Sequence, residues 1–263
     1  MKLWILMIVV VSLKSVAGES LTLVLPSQVD GGHRFYHELL YESLSRAGHK
    51  VTITTPSEHI PQKRVVKMVE SNQLSLTWLI SSKRRDQLYP SISVPLTNGL
   101  IGRRVLLIPP ELQTRFDEIR SLEALRESNL VAGLGMNWFD VDVWKNNHLK
   151  VYVADGEWRS LYQSLSVDGE VNYFPRGINE ASNEADLNSH LVVEKNLLLV
   201  YERDFKFYLS SATLPHQQLI EDALQKAKVE GVIDRLIDKY WGESKKRLNE
   251  ERRVVINLEL PES

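Results

Sequence analysis

The strongest constraint on the fold is a strand–helix–strand pattern close to the amino terminus. The apolar run LTLVL (21–25) ends at Pro26 and is typical of a buried strand. Segment 35–48 places apolar side chains on one helical face and ends in glycine, which is common just after a helix. The alternating, β-branched KVTITT (50–55) predicts a second strand. This order indicates a βαβ unit with parallel strands and a right-handed crossover.

The alternation of helices and strands continues along the chain. A helix is predicted over 62–72 and a strand over 74–81, and a new strand begins near Arg104 after a passage punctuated by glycine. A second α/β series follows, with helices at 121–127, 141–147 and 158–169 and strands at 130–135 and 149–155. An extended segment (197–204), a strand (205–211) and two amphipathic helices (216–231 and 232–242) close the series.

The first residues indicate export. Lys2, an apolar run over 3–13 and small residues at 16–18 have the layout of a secretory signal peptide, so residues 1–18 are predicted to be removed. The alternative is an amino-terminal anchor that is never cut. The sequence has 0 cysteines, and an exported protein without disulfides suggests the bacterial periplasm.

Charge and motifs exclude several functions. Without Lys2 and Lys14, the 32 basic side chains fall to 30 against 34 acidic ones, so no nucleic-acid partner is expected. His33 and His37 have a spacing that can hold zinc, but no HExxH motif accompanies them, and no metal site or cofactor is predicted. No GxSxG motif and no thiol nucleophile are present, so the chain is not predicted to be an enzyme.

Three segments resemble one known family. The closing segment 205–242 has a strand, a small-residue turn, a helix, a glycine and a final helix with the aromatic pair Tyr240-Trp241. This order resembles the end of type II periplasmic solute-binding proteins of the amino-acid-binding branch (family 3-like). SLEALRESNLVAGLGMNW (121–138) resembles the start of that family's second lobe, and 75–96 resembles the segment where its first lobe presents an arginine.

The resemblance implies an α/β fold of two lobes. Each lobe is a mixed sheet flanked by helices, two crossing strands join the lobes, and the ligand lies in the cleft between them. Lobe 1 would comprise 19–100 and 196–248, and lobe 2 would comprise 101–195. The charged tail 249–263 contains a plausible short strand, VVINLEL, for which the sequence indicates no partner.

Arg176 is the first candidate for a ligand contact. It follows the apolar run that ends VNYFPRG (171–177), and open α/β sheets bind ligands at the carboxyl ends of their strands. By resemblance, amino-acid-binding relatives carry an acid near this position that holds the ligand's ammonium. An arginine fork instead pairs with carboxylate or phosphate, which favours an anionic solute, with Asn179 close by. The alternative is a surface or inter-lobe salt bridge.

The resemblance places a second arginine in SSKRRD (81–86). The family's carboxylate-holding arginine corresponds to Arg85 or Arg84, and Arg85 is favoured because it lies just before Asp86. The alternative is an exposed basic loop. Trp78, on the preceding strand, is a candidate aromatic wall of the pocket, although a core position explains it equally well.

Two glycine-bearing turns complete the candidate site. One precedes the first helix, where backbone N–H groups could approach a ligand and His33 and Tyr36 lie nearby. The other is the segment that contains Gly135 and Asn137. Neither turn carries the lysine of a phosphate-binding loop.

Together these features predict a monomeric periplasmic solute-binding protein. It would close on a small polar solute, anionic or amino-acid-like, and deliver it to the membrane permease of an ABC-type importer. Two alternatives remain open: a regulatory or sensory periplasmic module of the same fold, and a cleft enzyme similar to a dehydratase.

Overall fold

The structure is a computed structural model that describes residues 20–27, 34–56 and 60–261. The signal peptide predicted for 1–18 and the candidate His33 lie outside these residues. The predicted βαβ unit is confirmed, because β1 (Ser20–Val24) pairs in parallel with β2 (Lys50–Thr54) and α1 (Arg34–Arg46) connects them.

The first lobe contains these two strands and a second, antiparallel pair. The other elements of this lobe are β3 (Leu76–Ile80), β10 (Phe205–Leu209), α2 (Gln62–Glu70), α3 (Lys83–Leu88), α9 (Gln217–Val229) and α10 (Val232–Leu248). Strand β3 pairs with β10, and Ser75 N, just before β3, donates to Val24 O (2.8 Å) and so joins the two pairs. Helices α1, α9 and α10 bury their apolar faces in one core with β1 and β3.

The second lobe is built around one central strand. Its strands are β4 (Arg103–Ile108), β5 (Val131–Gly135), β6 (Lys150–Ala154), β7 (Phe174–Gly177), β8 (Val192–Val193) and β9 (Leu197–Val200); its helices are α4 (Gln113–Asp117), α5 (Leu122–Glu127), α6 (Phe139–Asn146), α7 (Leu161–Ser164) and α8 (Ala181–Leu187). Strand β4 pairs antiparallel with β7, β8 and β9, and β5 pairs in parallel with β6. Strand β9 falls within the residues that the sequence assigned to lobe 1, but it is hydrogen-bonded into this sheet. A bridge between Ala132 and Tyr173 places β5 beside the approach to β7.

One predicted helix of the second lobe is wrong in length. The helix predicted over 158–169 is a 3-10 turn at Trp158–Ser160 followed by only the short α7. The chain turns back after α7, because Leu165 bridges Val171 and the Asn172 amide donates to the carbonyls of residues 166 and 167 (3.1 Å each). These contacts replace the hydrogen bonds that would have continued the helix.

The two lobes meet at the residues just before β4 and just after β9. A Cβ on Gly102 would lie 2.1 Å from the carbonyl oxygen of Tyr201, so the backbones of the two crossing segments touch there. Next to this contact the buried Asp204 accepts hydrogen bonds from Thr97 N and Oγ1 and from Gly99 N (2.6–3.1 Å). Only glycine allows so close an approach, and the carboxylate ties the outgoing segment to the returning one.

The charged tail contains a strand. After α10, β11 (Val254–Asn257) pairs in parallel with β9, and Ile256 and Leu258 are buried in the core of the second lobe. Glu259 N and O bond to the side chain of Asn147 at the end of α6 (2.9 and 2.8 Å). Strand β9 is therefore the partner that the sequence did not indicate. No helix among the described residues has the length and apolar character needed to cross a membrane.

Candidate functional site

A cavity of about 440 Å³ lies between the two lobes. Its wall combines side chains from α1, β3 and α3 of the first lobe with side chains from α6, β7 and α8 of the second. Of the seven sequence-predicted site residues that the structure describes, five line it: Tyr36, Trp78, Arg85, Arg176 and Asn179. The fold therefore brings together residues that are up to 143 positions apart in the chain, Tyr36 and Asn179 being the extremes.

The glycine turn after β5 contributes differently from the prediction. Gly135 and Asn137 are not among the described residues that line the cavity. A Cβ on Gly135 would lie 2.6 Å from the Trp138 ring, so this glycine lets the indole lie against the backbone. Asn137 has a φ of 66° and offers its carbonyl oxygen to Arg85 (3.2 Å). The turn thus shapes one wall and meets the first lobe through its backbone.

Arg85 presents a cation to the cavity. Ser82 caps α3 by accepting a hydrogen bond from Arg85 N (3.2 Å), which starts the helix with Arg85 in its first turn. The guanidinium donates to two backbone carbonyls, Ile80 O (2.6 Å) and Asn137 O (3.2 Å). Within the described part of the chain it forms no ion pair, and burial lowers its pKa from the ordinary value. The neighbouring Arg84 is exposed.

Arg176 is held by two carboxylates of its own lobe. Its Nε and Nη2 atoms donate to the two oxygens of Glu184 (2.6 and 2.7 Å), and Nη2 lies 3.0 Å from Glu180 Oε2. Burial by itself lowers the pKa of Arg176, but the charges of both glutamates outweigh this effect and raise it well above the usual value. The three residues are four positions apart in sequence, but Arg176 lies on β7, Glu180 just before α8 and Glu184 within it, so helical spacing alone does not predict their contact. Glu184 was not predicted.

Aromatic rings enclose the same guanidinium. Its carbon lies 4.6 Å from the Trp158 ring centre, 5.0 Å from that of Phe174 and 5.3 Å from that of Trp138. Only 7% of the Arg176 side chain is exposed. We call the two glutamates and these three rings the arginine cage. A ligand contact at Arg176 stays a prediction.

Two acceptor oxygens and one guanidinium nitrogen lie close to Gly177. A Cβ there would lie 2.3 Å from Asn179 Oδ1, 3.2 Å from Glu180 Oε2 and 3.3 Å from Arg104 Nη1. Asn179 Oδ1 is buried and has no hydrogen-bond partner among the described residues. Burial raises the pKa of Glu180 although the charge of Arg176 opposes the shift. This corner can accept hydrogen bonds from a ligand donor.

A buried triad that the sequence did not indicate lies behind this corner. Arg104 pairs with Asp140 (Nε to Oδ1, 2.9 Å), and Tyr201 OH donates to the same carboxylate (2.8 Å) and accepts from Arg104 (2.9 Å). Arg104 and Asp140 line the cavity. Tyr201 lies directly after β9 on the returning crossing segment, and its hydroxyl contacts both of them. The triad connects both crossing segments to the start of α6.

The wall from the first lobe includes a cluster of aromatic rings. The rings of Tyr36 and Trp78 are stacked with centres 4.6 Å apart, and Phe205 meets Tyr36 edge to face. Trp78 is 7% exposed, so it belongs to the core and to the cavity wall at once. In the described residues no group of three potential ligands could hold a metal ion.

Comparison with known proteins identifies the fold through structure. No family model and no curated protein sequence matches the chain. An ancestral arginine-binding protein bound to arginine superposes with a TM-score of 0.60 at 15% identity, over 84% of this chain and 98% of that one. The amino acid ABC transporter substrate-binding protein AbpA from Streptococcus pneumoniae, bound to L-arginine, gives 0.61 at 16% identity, over 85% and 95%. An ancestral amino-acid-binding protein, a precursor of cyclohexadienyl dehydratase, gives 0.59 at 15% identity, over 84% and 95%.

The chain has the fold of the two-lobed amino-acid-binding proteins. The fold class predicted from the resemblance is therefore confirmed: two mixed sheets flanked by helices and joined by crossing strands. In this binding-protein fold the cavity occupies the cleft between the lobes, which is where open α/β sheets place their ligands. At these sequence identities the likeness concerns the fold, and the chemistry of the cleft must be argued from its own side chains.

Proposed function

We propose that this protein binds a small polar solute, anionic or amino-acid-like, by closing its two lobes over it. The observation that carries the proposal is a cavity of about 440 Å³ whose wall comes from both lobes and includes the guanidinium of Arg85. That volume is within the range typical of small-molecule sites. Because each lobe supplies part of the wall, a bound solute stabilises the closed state over the open one.

The polar groups suggest how the solute is oriented. Among the described residues Arg85 donates its guanidinium hydrogen bonds only to backbone carbonyls, so its charge is available for a carboxylate or another anion of the solute. Across the cleft, Asn179 Oδ1 and the carboxylate of Glu180 can accept hydrogen bonds from an ammonium group. An amino-acid-like solute satisfies both ends, and the amino acids bound in the structures of similar fold support this class.

The setting proposed for this activity is the bacterial periplasm. Residues 1–18 have the layout of a signal peptide, and the chain contains 0 cysteines. The substrate-binding protein AbpA, which has a similar fold, belongs to an ABC transporter, and this supports an importer permease as the partner of the closed form. We propose that the protein acts as a monomer and returns its solute unchanged.

The test is a thermal-shift screen of the protein from residue 19 onwards against amino acids, small carboxylates, peptides and phosphate esters. A solute at a hundred times its dissociation constant should stabilise the fold by about 2.7 kcal/mol. Arg85→Ala should abolish the shift and Arg85→Lys should weaken it, because lysine keeps the charge without the bidentate fork. Arg84→Ala, at the exposed neighbouring position, is the matched control. A folded protein that responds to none of these classes would contradict the proposal.

One comparison supports a second candidate function, an enzyme acting in the same cleft. The ancestral protein that preceded a dehydratase shares this fold. A solute identified in the screen should therefore be incubated with the protein and recovered. Unchanged solute supports the binding protein, and conversion supports the enzyme.

A further inference from the structure

We propose that Arg176 is a specificity-determining residue, a built-in cation that occupies the guanidinium site of the cleft and thereby excludes solutes with a cationic side chain. The inference deepens the proposed function and rests on it. It follows from the arginine cage, which has the composition of a guanidinium-binding site and is already filled by a side chain of the protein itself.

The arginine cage contacts the guanidinium of Arg176 through hydrogen bonds and through aromatic rings. Glu184 receives two parallel hydrogen bonds from one edge of the guanidinium, and Glu180 meets the same Nη2 atom (2.6–3.0 Å). Paired carboxylates select a planar cation with several donors over a point charge. The Trp158 ring centre lies 4.6 Å from the guanidinium carbon, within the range of an attractive cation–π contact. A free guanidinium group would find the same partners if Arg176 were absent.

Every member of the cage belongs to the second lobe. Trp138 precedes α6, Trp158 lies in the 3-10 turn before α7, and Phe174 and Arg176 are two residues apart on β7. Glu180 and Glu184 follow at the start of α8. The cage is therefore assembled within one lobe, and its occupancy does not depend on closure of the cleft.

The charges of the cavity wall show what the occupied cage does to a solute. Among the described residues, four arginines and three acidic residues line the cavity: Arg85, Arg104, Arg159 and Arg176, and Asp140, Glu180 and Glu184. Arg159 is paired with Glu157 outside this set (3.2 Å), so the wall has no negative charge in excess. With Arg176 in place both oxygens of Glu184 are taken, and a second cation would have to lie beside a buried guanidinium. Like charges at such distances repel strongly in a partly desolvated site. The wall therefore favours solutes whose side chain is neutral or anionic.

The experiment removes the built-in cation and supplies a free one. Arg176→Ala opens a space that matches methylguanidinium and leaves both glutamates without their partner. Millimolar methylguanidinium should raise the melting temperature of Arg176→Ala by about 5 °C and leave the unsubstituted protein unchanged. In the double variant Arg176→Ala, Glu184→Gln the shift should largely disappear, because the bidentate acceptor has lost its charge.

The matched control is an exposed arginine–carboxylate pair that also involves α8. Arg247 also forms a bidentate pair, with Asp186 on α8 (2.7 and 2.8 Å), but about half of its side chain is exposed. Methylguanidinium should not stabilise Arg247→Ala, because a solvated carboxylate without surrounding rings binds it weakly. An equal shift in both variants would show a general effect of the salt and would overturn the proposal.

The outcomes also separate this inference from the proposed function. Rescue by methylguanidinium requires no amino-acid solute, so rescue together with an empty solute screen keeps the cage and rejects the solute-binding role. A solute hit without rescue keeps that role and overturns the cage. If Arg176→Ala does not fold in buffer, its circular dichroism with and without methylguanidinium replaces the melting curve. The unsubstituted protein is then the folded reference. If methylguanidinium produces no gain of structure in Arg176→Ala, the proposal is overturned.

Discussion

Removing Glu184 tests how much the arginine cage contributes to stability. Glu184→Ala takes away two short hydrogen bonds from a guanidinium of which 7% is exposed, while Glu180 remains 3.0 Å away. Breaking a buried ion pair by removing one partner costs about 3–5 kcal/mol. Because Glu180 still compensates part of the charge, we expect about 3 kcal/mol, at the lower end of that range. For a chain of this size the melting temperature should fall by about 9 °C.

The same helix supplies the control for this measurement. Asp186, two residues further along α8, forms a bidentate pair with Arg247, but both side chains are more than half exposed (55% and 54%). Asp186→Ala should therefore cost about 0–1 kcal/mol. The two variants are compared by urea unfolding at low and high salt, and only the small effect of Asp186→Ala should depend on salt. Equal losses in both variants would refute the reasoning that burial makes the cage pair different.

Three further predictions concern other parts of the structure. Gly177→Ala should weaken solute binding in the thermal-shift assay more than tenfold, because its methyl group would lie 2.3 Å from Asn179 Oδ1; unchanged binding would contradict this. Glu38→Gln should cost about 1 kcal/mol at pH 7. Hydrogen bonds from Lys239 and then Tyr240 lower the pKa of Glu38 from its usual 4.5. The stabilisation by Glu38 is therefore present above pH 4.5 and is lost as the pH falls through the lowered folded-state pKa. The melting temperatures of the variant and the unsubstituted protein should converge in acid. On β11, the buried Ile256→Ala should lower the free energy of unfolding in urea by about 3 kcal/mol. Val255→Ala, on the exposed face, should lower it by at most about 0.5 kcal/mol. Similar losses would show that the tail does not pack on the core.

Local patterns predicted the opening of the chain well. The apolar residues assigned to one face of the first helix, Phe35, Tyr36, Leu39, Leu40 and Leu44, are all buried in α1. The parallel pairing of β1 and β2 follows from the length of the connecting helix, which leaves the chain no short antiparallel return. The prediction of a helix over 158–169 was wrong, because a contact that the local pattern does not show, the bridge between Leu165 and Val171, overrides the helical pattern.

Only part of the candidate site could be predicted from the sequence. Arg176 could be selected because it follows an apolar run, and strand ends of this fold face the cleft. Arg85 was selected through the resemblance of residues 75–96 to the arginine-presenting segment of the family. The partners of Arg176 could not be selected, because Trp138 and Trp158 lie 38 and 18 positions earlier in the chain and carry no periodic signal that relates them to it. The triad of Arg104, Asp140 and Tyr201 was missed for the same reason.

The sequence by itself determined most of the helices and strands and their alternation as an α/β fold, because hydrophobic periodicity is a property of neighbouring residues. It also placed Arg176 directly after an apolar run and Arg85 a few residues after a predicted strand. Only the tertiary structure decided whether such an arginine faces a carboxylate, as Arg176 does, or backbone carbonyls, as Arg85 does. It likewise decided that the charged tail pairs with β9. Charge pairing and strand partnership depend on distances between residues that are remote in the chain, and these distances exist only after the lobes have packed.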